Sequence, residues 1–245
     1  KKFLEIETDY KYSKGQINGR IYSKGFSVQS LACDIKKFWC EGCDYTDYDM
    51  INCHPTLLKW LIDGSNGECT ILNEYVNDRN NFLKKHNIKK LDFLEVINRD
   101  NERKTQKQIL KDLSRQLTPY KKDIVKNLGY LIENKKSKSK QKISSVLNKI
   151  LCFFENQILQ KVFKKIGCES VAVPYFDGFL SAKKIDIDLL NTITKKYNIK
   201  WSVKSMKNKI NITEAMKTDL DRVDEYFDFL ELASENMIAK RFIKT

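Results

Sequence analysis

The sequence predicts an α+β fold with an antiparallel sheet, and three observations carry that expectation. Short alternating stretches near the start, at 43–50, at 170–182 and at 199–204 read as strands. Between them lie long stretches of helical periodicity, at 70–132 and 143–167. The order is not a regular strand–helix alternation, so the strands must pair across the helices rather than form βαβ units.

Taken in order, residues 1–30 carry Gly15, Gly19 and Gly25 among short apolar pieces and read as strands and turns. "LACDIKKFW" (31–39) fits a short helix. Residues 43–50 alternate as a strand does. Pro55 suits the first turn of the helix "PTLLKWLID", which Gly64 ends. Residues 70–98 read as helical, with a polar break at "RDNERKTQKQ". Residues 106–132 continue as amphipathic helix, interrupted at Pro119. The charge run 133–142 reads as a solvated loop, and 143–166 as the longest helix, closed by Gly167. "SVAVPYFDGFLSA" reads as strand–turn–strand, with Asp177-Gly178 as the tight turn. A helix at 186–197, a strand at 199–204 and a helix from about 214 complete the chain.

Lys and Arg outnumber Asp and Glu by 45 to 32, a net charge of +13 over 245 residues. Such a surplus implies a polyanionic partner, most often nucleic acid; a composition rich in Lys, Asn and Ile, as an AT-rich genome produces, is the alternative source of the charge. No apolar run reaches the ~18–20 residues that span a bilayer, and "KKFLEIETDY" does not read as a secretory signal. Seven cysteines, an odd number, suit free thiols in a reducing intracellular compartment, whether cytoplasm, nucleus or viral factory. Cys40 and Cys43 form one CxxC; with Cys33, Cys53 and His54 it offers an irregularly spaced zinc set. The chain begins without Met and ends within helical pattern, so a fragment is expected.

The chemistry concentrates in acids. On a strand, residues i and i+2 face the same way, so Asp47 and Asp49 project from one face. Like charges that close raise each other's pKa unless a cation joins them, and oxygen ligands alone suit Mg²⁺ or Mn²⁺. Asp177 stands at the tip of an otherwise apolar hairpin. Brought beside the pair, it completes a carboxylate set for two metal ions and phosphoryl transfer. The alternative is an exposed acid pair and an ordinary turn.

Further matches occur in a fixed order. "NGRIYSKGFSVQSL" (18–31) resembles the T-G-R-L-S-S…N-L-Q-N-I segment of the bacterial DNA polymerase I family, family A, through Gly19, Arg20, Ser23 and Gln29. "DYDMINCHP" falls where that family's motif A belongs, and is similar to the D-I-D-x-x-N-x-H-P form of the divergent transposon-virus branch. "KHNIKKLDFLEVIN" offers Lys85, Lys89 and Phe93 at the spacing of motif B, with Lys90 as an alternative to Lys89; the Arg, Tyr and Gly of that motif are missing. "VAVPYFDGFLS" stands at motif C, with Phe176 for His and Gly178 for Glu.

This resemblance covers about residues 18–182. It implies a right-hand polymerase fold: palm at 1–69 and 143–213, helical fingers reduced to 70–142, and a tail at 214–245 leading to another domain. It implies a template-directed DNA polymerase that adds dNTPs to a primer 3′ end with two Mg²⁺ or Mn²⁺ ions, in replication of a virus or mobile element, with primer–template DNA and a helicase or other replication protein as partners and no membrane. Asp49 or Asp47, with Asp177, would hold the metals; family A alignment favours Asp47, and a family B-like reading of D-x-x-N-x-H-P favours Asp49. Lys89 and Lys85 would meet the nucleotide phosphates, Phe93 the incoming base, and Asn52 or His54 the sugar 2′ position. Arg20 would enter the minor groove and Gln29 contact the template. A primase, which needs a Ser-x-His motif absent here, and a non-catalytic basic DNA-binding protein are the alternatives.

Overall fold

The computed structural model describes residues 8–12, 18–25, 27–31, 45–100, 107–132 and 142–204. The expectations for 31–39, the Cys40/Cys43 pair, the basic run 133–142 and the tail from 214 fall wholly or almost wholly outside them.

The fold is α+β. Strands β1 (Tyr10–Tyr12) and β2 (Ile21–Ser23) pair antiparallel as a small ribbon. Strand β3 (Thr46–Met50) runs directly into helix α1 (Cys53–Gly64). Helices α2 (Thr70–Asn77), α3 (Arg79–Lys85), α4 (Lys90–Ile97), α5 (Gln108–Leu128) and α6 (Ile143–Ile166) follow. The chain then returns to the sheet through β4 (Val173–Pro174) and β5 (Gly178–Ser181), and closes with α7 (Ile187–Thr194) and β6 (Trp201–Lys204). The main sheet has the order β4-β5-β3-β6, antiparallel throughout. Its central strand therefore comes early in the chain and its neighbours late.

Alternation divides this sheet into two unlike faces. Tyr48, Met50, Phe179 and Trp201 occupy one face and are buried. Tyr48 stacks on Phe179 at 5.2 Å, and Phe163 of α6 meets Phe179 edge-on at 5.4 Å. The Tyr48 hydroxyl donates to the Ile185 carbonyl and accepts from the Ile185 N–H, so the buried ring keeps its polar end paired. Asp47 and Asp49 stand on the opposite face, in register with Lys204 and Ser202 of β6.

Two sequence expectations change. Pro119 does not interrupt helix α5, which runs through it. Leu110, Leu113, Leu117 and Ile124 bury one stripe of that helix, and this packing outweighs the missing backbone bond. Lys121 reaches from the same stripe to the Val96 and Arg99 carbonyls at the end of α4; burial pushes its amine down to about 8, against the charge of Asp100. The continuous helix expected over 70–98 is three helices. Asp78 caps α3 through the Asn81 N–H, and Asn87, at φ 47°, takes the left-handed conformation that ends α3 before α4 begins.

Among the described residues no helix is long and apolar enough to cross a membrane. Cys53, Cys69, Cys152 and Cys168 are free thiols, and the first three are buried.

Candidate functional site

The register of β3 against β5 builds the site. Asp49 lies opposite Gly178, and the Met50 N–H donates to the Asp177 carbonyl at 2.8 Å. Asp177, one residue before β5, is thereby fixed beside the end of β3. The tight turn is Tyr175–Asp177, closed by the Tyr175 N–H to the Gly178 carbonyl at 2.7 Å; Gly178 already belongs to the strand. Its φ is not positive, so the glycine serves another purpose than the one expected of Asp-Gly. A Cβ there would lie 2.1 Å from the Tyr48 carbonyl oxygen. The bare Cα lets the two strands approach just where the acids meet.

Asp49 and Asp177 line a cavity of about 390 Å³ with Arg20, Arg79, Lys90 and Lys204 on its walls. The Asp177 carboxyl is raised above the usual carboxylate range, first by burial, then by the charges of Asp49 and Glu155; Lys204 and Arg20 oppose the rise. Lys204 Nζ sits 2.7 Å from Asp49 Oδ1. Burial would lower its pKa, but the Asp49 hydrogen bond and the charges of Asp49, Asp47 and Asp177 raise it. All three predicted acids thus act on one ammonium. Asp47 and Asp49 share a face as expected, and Asp49 is the one on the cavity wall.

A second, buried cluster adjoins the first. Glu155 of α6 is fully buried and accepts Arg20 Nε at 2.6 Å and Nη2 at 2.8 Å, one on each carboxylate oxygen. His54 Nε2 lies 2.8 Å from Oε2. Burial and the dipole of α1 both oppose a charge on His54, which stands in that helix's first turn. Hydrogen bonds to Cys152 and Glu155 and the Glu155 charge override burial and raise it to about 9. Glu155 is lowered against its own burial by hydrogen bonds from His54 and Arg20. Arg20 also lies over the Phe176 ring, 4.9 Å from its centroid. The cluster ties the approach to β2, the start of α1 and the middle of α6 into one unit.

The remaining predicted residues fall in different places. Asn52, in the left-handed region at φ 51°, lines the cavity and accepts from Arg79 Nη1 at 2.8 Å. Gln29 accepts from the Ser23 N–H and donates to the Ile21 and Pro174 carbonyls, so its buried amide joins the ribbon to β4 and is not presented to a template. Lys85, Lys89 and Phe93 do not share one helical stripe, because the turn at Asn87 resets the chain. Lys85 pairs with Glu74 at the surface, 2.6 Å away. Lys89 precedes α4, and its N–H donates to Asp92. Phe93 is fully buried, stacked on Tyr75 at 3.6 Å, and cannot meet a base. Lys90 and Arg79 hold the wall positions instead. Glu155 escaped the sequence reading although a signal existed: it interrupts the apolar stripe Leu147, Leu151, Ile158, Val162 of α6. An acid there needs a buried partner.

Burial and then the Asp49 charge raise the Asp177 carboxyl, and a bound cation would oppose that rise. Asp47, Asp49 and Asp177 offer carboxylate oxygens only, but among the described residues the one set of three donor atoms gathered closely enough for a metal is a different one. His54, Cys152 and Glu155 bring one nitrogen, one sulfur and one oxygen within 4.8 Å of one another. There, however, both Glu155 oxygens are committed to Arg20 and His54, and an incoming ion would meet the Arg20 guanidinium 3.4 Å from His54 Nε2. No protein-family model, no curated protein and no solved structure matches this chain.

Proposed function

We propose that the chain is a template-directed DNA polymerase of right-hand type, extending a primer with dNTPs at the Asp49–Asp177 cavity. One observation carries the reading: two acids from strands 128 residues apart, in a register that only a glycine permits, meet inside a cavity walled by cations. The order of motifs in the sequence supports it.

Bound at these carboxylates, Mg²⁺ or Mn²⁺ would supply neutralisation of phosphate charge and activation of the primer hydroxyl. Asp49 and Asp177 hold the ions, with Asp47 on the same face. Arg79 and Lys90 receive the triphosphate, a polyanion that fits the cationic wall. The hydrogen bond from Arg79 to Asn52 orients the guanidinium and sets Asn52 where the sugar passes. Arg20, held by Glu155 through Nε and Nη2, presents its remaining edge beside Phe176 to the duplex. Duplex phosphates account for the net positive charge of the chain.

The test is Mg²⁺-dependent dNTP incorporation on a primed template, with Asp49→Asn and Asp177→Asn as controls. Incorporation that vanishes in both variants is expected; incorporation that survives both overturns the reading. Synthesis of primers from rNTPs alone would shift the assignment to a primase. A second reading, a non-catalytic basic DNA-binding protein, is favoured by the Lys204–Asp49 ion pair, which already supplies one acid with a cation. Salt-sensitive DNA binding indifferent to Mg²⁺, without incorporation, would establish it.

A further inference from the structure

We infer that Lys204 is the built-in counter-ion of the acid face: it holds Asp49 when no divalent ion is bound and sets how tightly one binds. The inference rests on the metal-binding role proposed for Asp49 and Asp177.

The register places Lys204 directly opposite Asp47 on β3, so both side chains stand on the acid face. From there the ammonium reaches diagonally to Asp49 Oδ1 at 2.7 Å, and the charges of Asp47 and Asp177 also act on it. Two other cations of the cavity have different commitments. Arg20 is bound by both oxygens of buried Glu155, and Arg79 donates to Asn52. Lys204 differs from Arg20 in one further respect. Among the described residues β6 is the last strand on its side of the sheet, and the Lys204 side chain is 55% exposed. An ammonium there can return to water at small cost, since exposed ion pairs are weak. A divalent ion arriving at the acids would lie within a few Å of the ammonium and repel it. Binding of that ion therefore requires Lys204 to swing out. The lysine keeps the acids from repelling one another in the empty state and weakens metal binding by the strength of its own contact.

The experiment is a Mn²⁺ titration of the full chain, without DNA or nucleotide, following the free-ion EPR signal. Wild type is compared with Lys204→Met, Lys204→Arg, Asp49→Asn and the Lys204→Met/Asp49→Asn pair. The half-exposed position makes Lys204→Met safe for folding, which circular dichroism checks. Lys204→Met should bind Mn²⁺ about two- to fivefold more tightly. Lys204→Arg should stay near wild type, and Asp49→Asn should abolish the gain. Equal binding by wild type and Lys204→Met, both lost with Asp49→Asn, overturns the inference and leaves the metal role of Asp49 standing. The same holds if Lys204→Arg binds as tightly as Lys204→Met, because charge would then not be the cause. Absence of any Asp49-dependent binding overturns both.

Discussion

Glu155, fully buried, and Asp177, half-buried, are carboxylates whose surroundings push them in opposite directions. Glu155 is the more deeply buried, yet its pKa falls, because Arg20 and His54 occupy its oxygens. Asp177 is less enclosed, yet its pKa rises, first through burial and then through the charges of Asp49 and Glu155, which Lys204 and Arg20 only partly oppose. Burial alone does not decide which way a carboxyl shifts; the charges around it do. Glu155 is a finished ion-pair network, and Asp177 is an acid whose surroundings favour one more cation.

The sharpest way to break this contrast is to remove the open acid. Asp177→Asn and Asp49→Asn should each lower primer extension by about 10³-fold or more, measured as single-nucleotide incorporation. Thermal stability should hold or rise, since a mutual repulsion disappears. Glu155→Ala should do the reverse. It strands Arg20 and His54 as half-buried cations and should cost about 3 kcal/mol of stability in chemical denaturation. If Asp177→Asn destabilises the fold as much as Glu155→Ala, the two acids do not differ in kind.

Gly178→Ala probes the strand approach beneath the acids. A methyl placed 2.1 Å from the Tyr48 carbonyl must push β5 away from β3. The expected cost is about 1–3 kcal/mol, with extension falling further than stability does. A further test is a pH dependence carried by His54. Its folded pKa, about 9, is raised above the ordinary value of 6.5. Its contribution is thus fully present below about pH 6.5 and is lost as pH rises through 9. Unfolding free energies of wild type and His54→Gln should accordingly converge over that window. Lys121, whose depressed pKa gives stability the opposite slope above pH 8, is common to both proteins and cancels. A difference that does not change from pH 6 to 9 would mean that His54 is neutral against Glu155.

Much of the acid site was legible in the chain. The i, i+2 spacing of Asp47 and Asp49 is a property of any strand, and Asp177 stood out as a lone acid among apolar neighbours. Their cations were less legible, because strand order decides them. Lys204 meets Asp49 only because β6 pairs on the outer side of β3, and nothing local to "WSVK" announces that. Arg79 and Lys90 gained the cavity wall because 70–98 bends at Asp78 and Asn87. The periodicity of that stretch, read as one helix, hid both turns and put Phe93 on the wrong stripe. Pro119 misled in the other direction, since tertiary packing carried the helix past it. Glu155 was visible as an interruption of an apolar stripe, but its partners lie 101 and 135 positions earlier, and no spacing rule connects them.

The topology also sets an order of events on the ribosome. Tyr48 and Met50 emerge long before Phe179 and Trp201, so β3 waits through more than a hundred residues of synthesis with neither edge paired. Helices α1 to α6 can form meanwhile from local contacts, whereas the sheet closes only when β5 and β6 arrive. The acid face thus forms only once β5 and β6 have been made, and a stalled chain ending before Gly178 would carry an open, aggregation-prone strand.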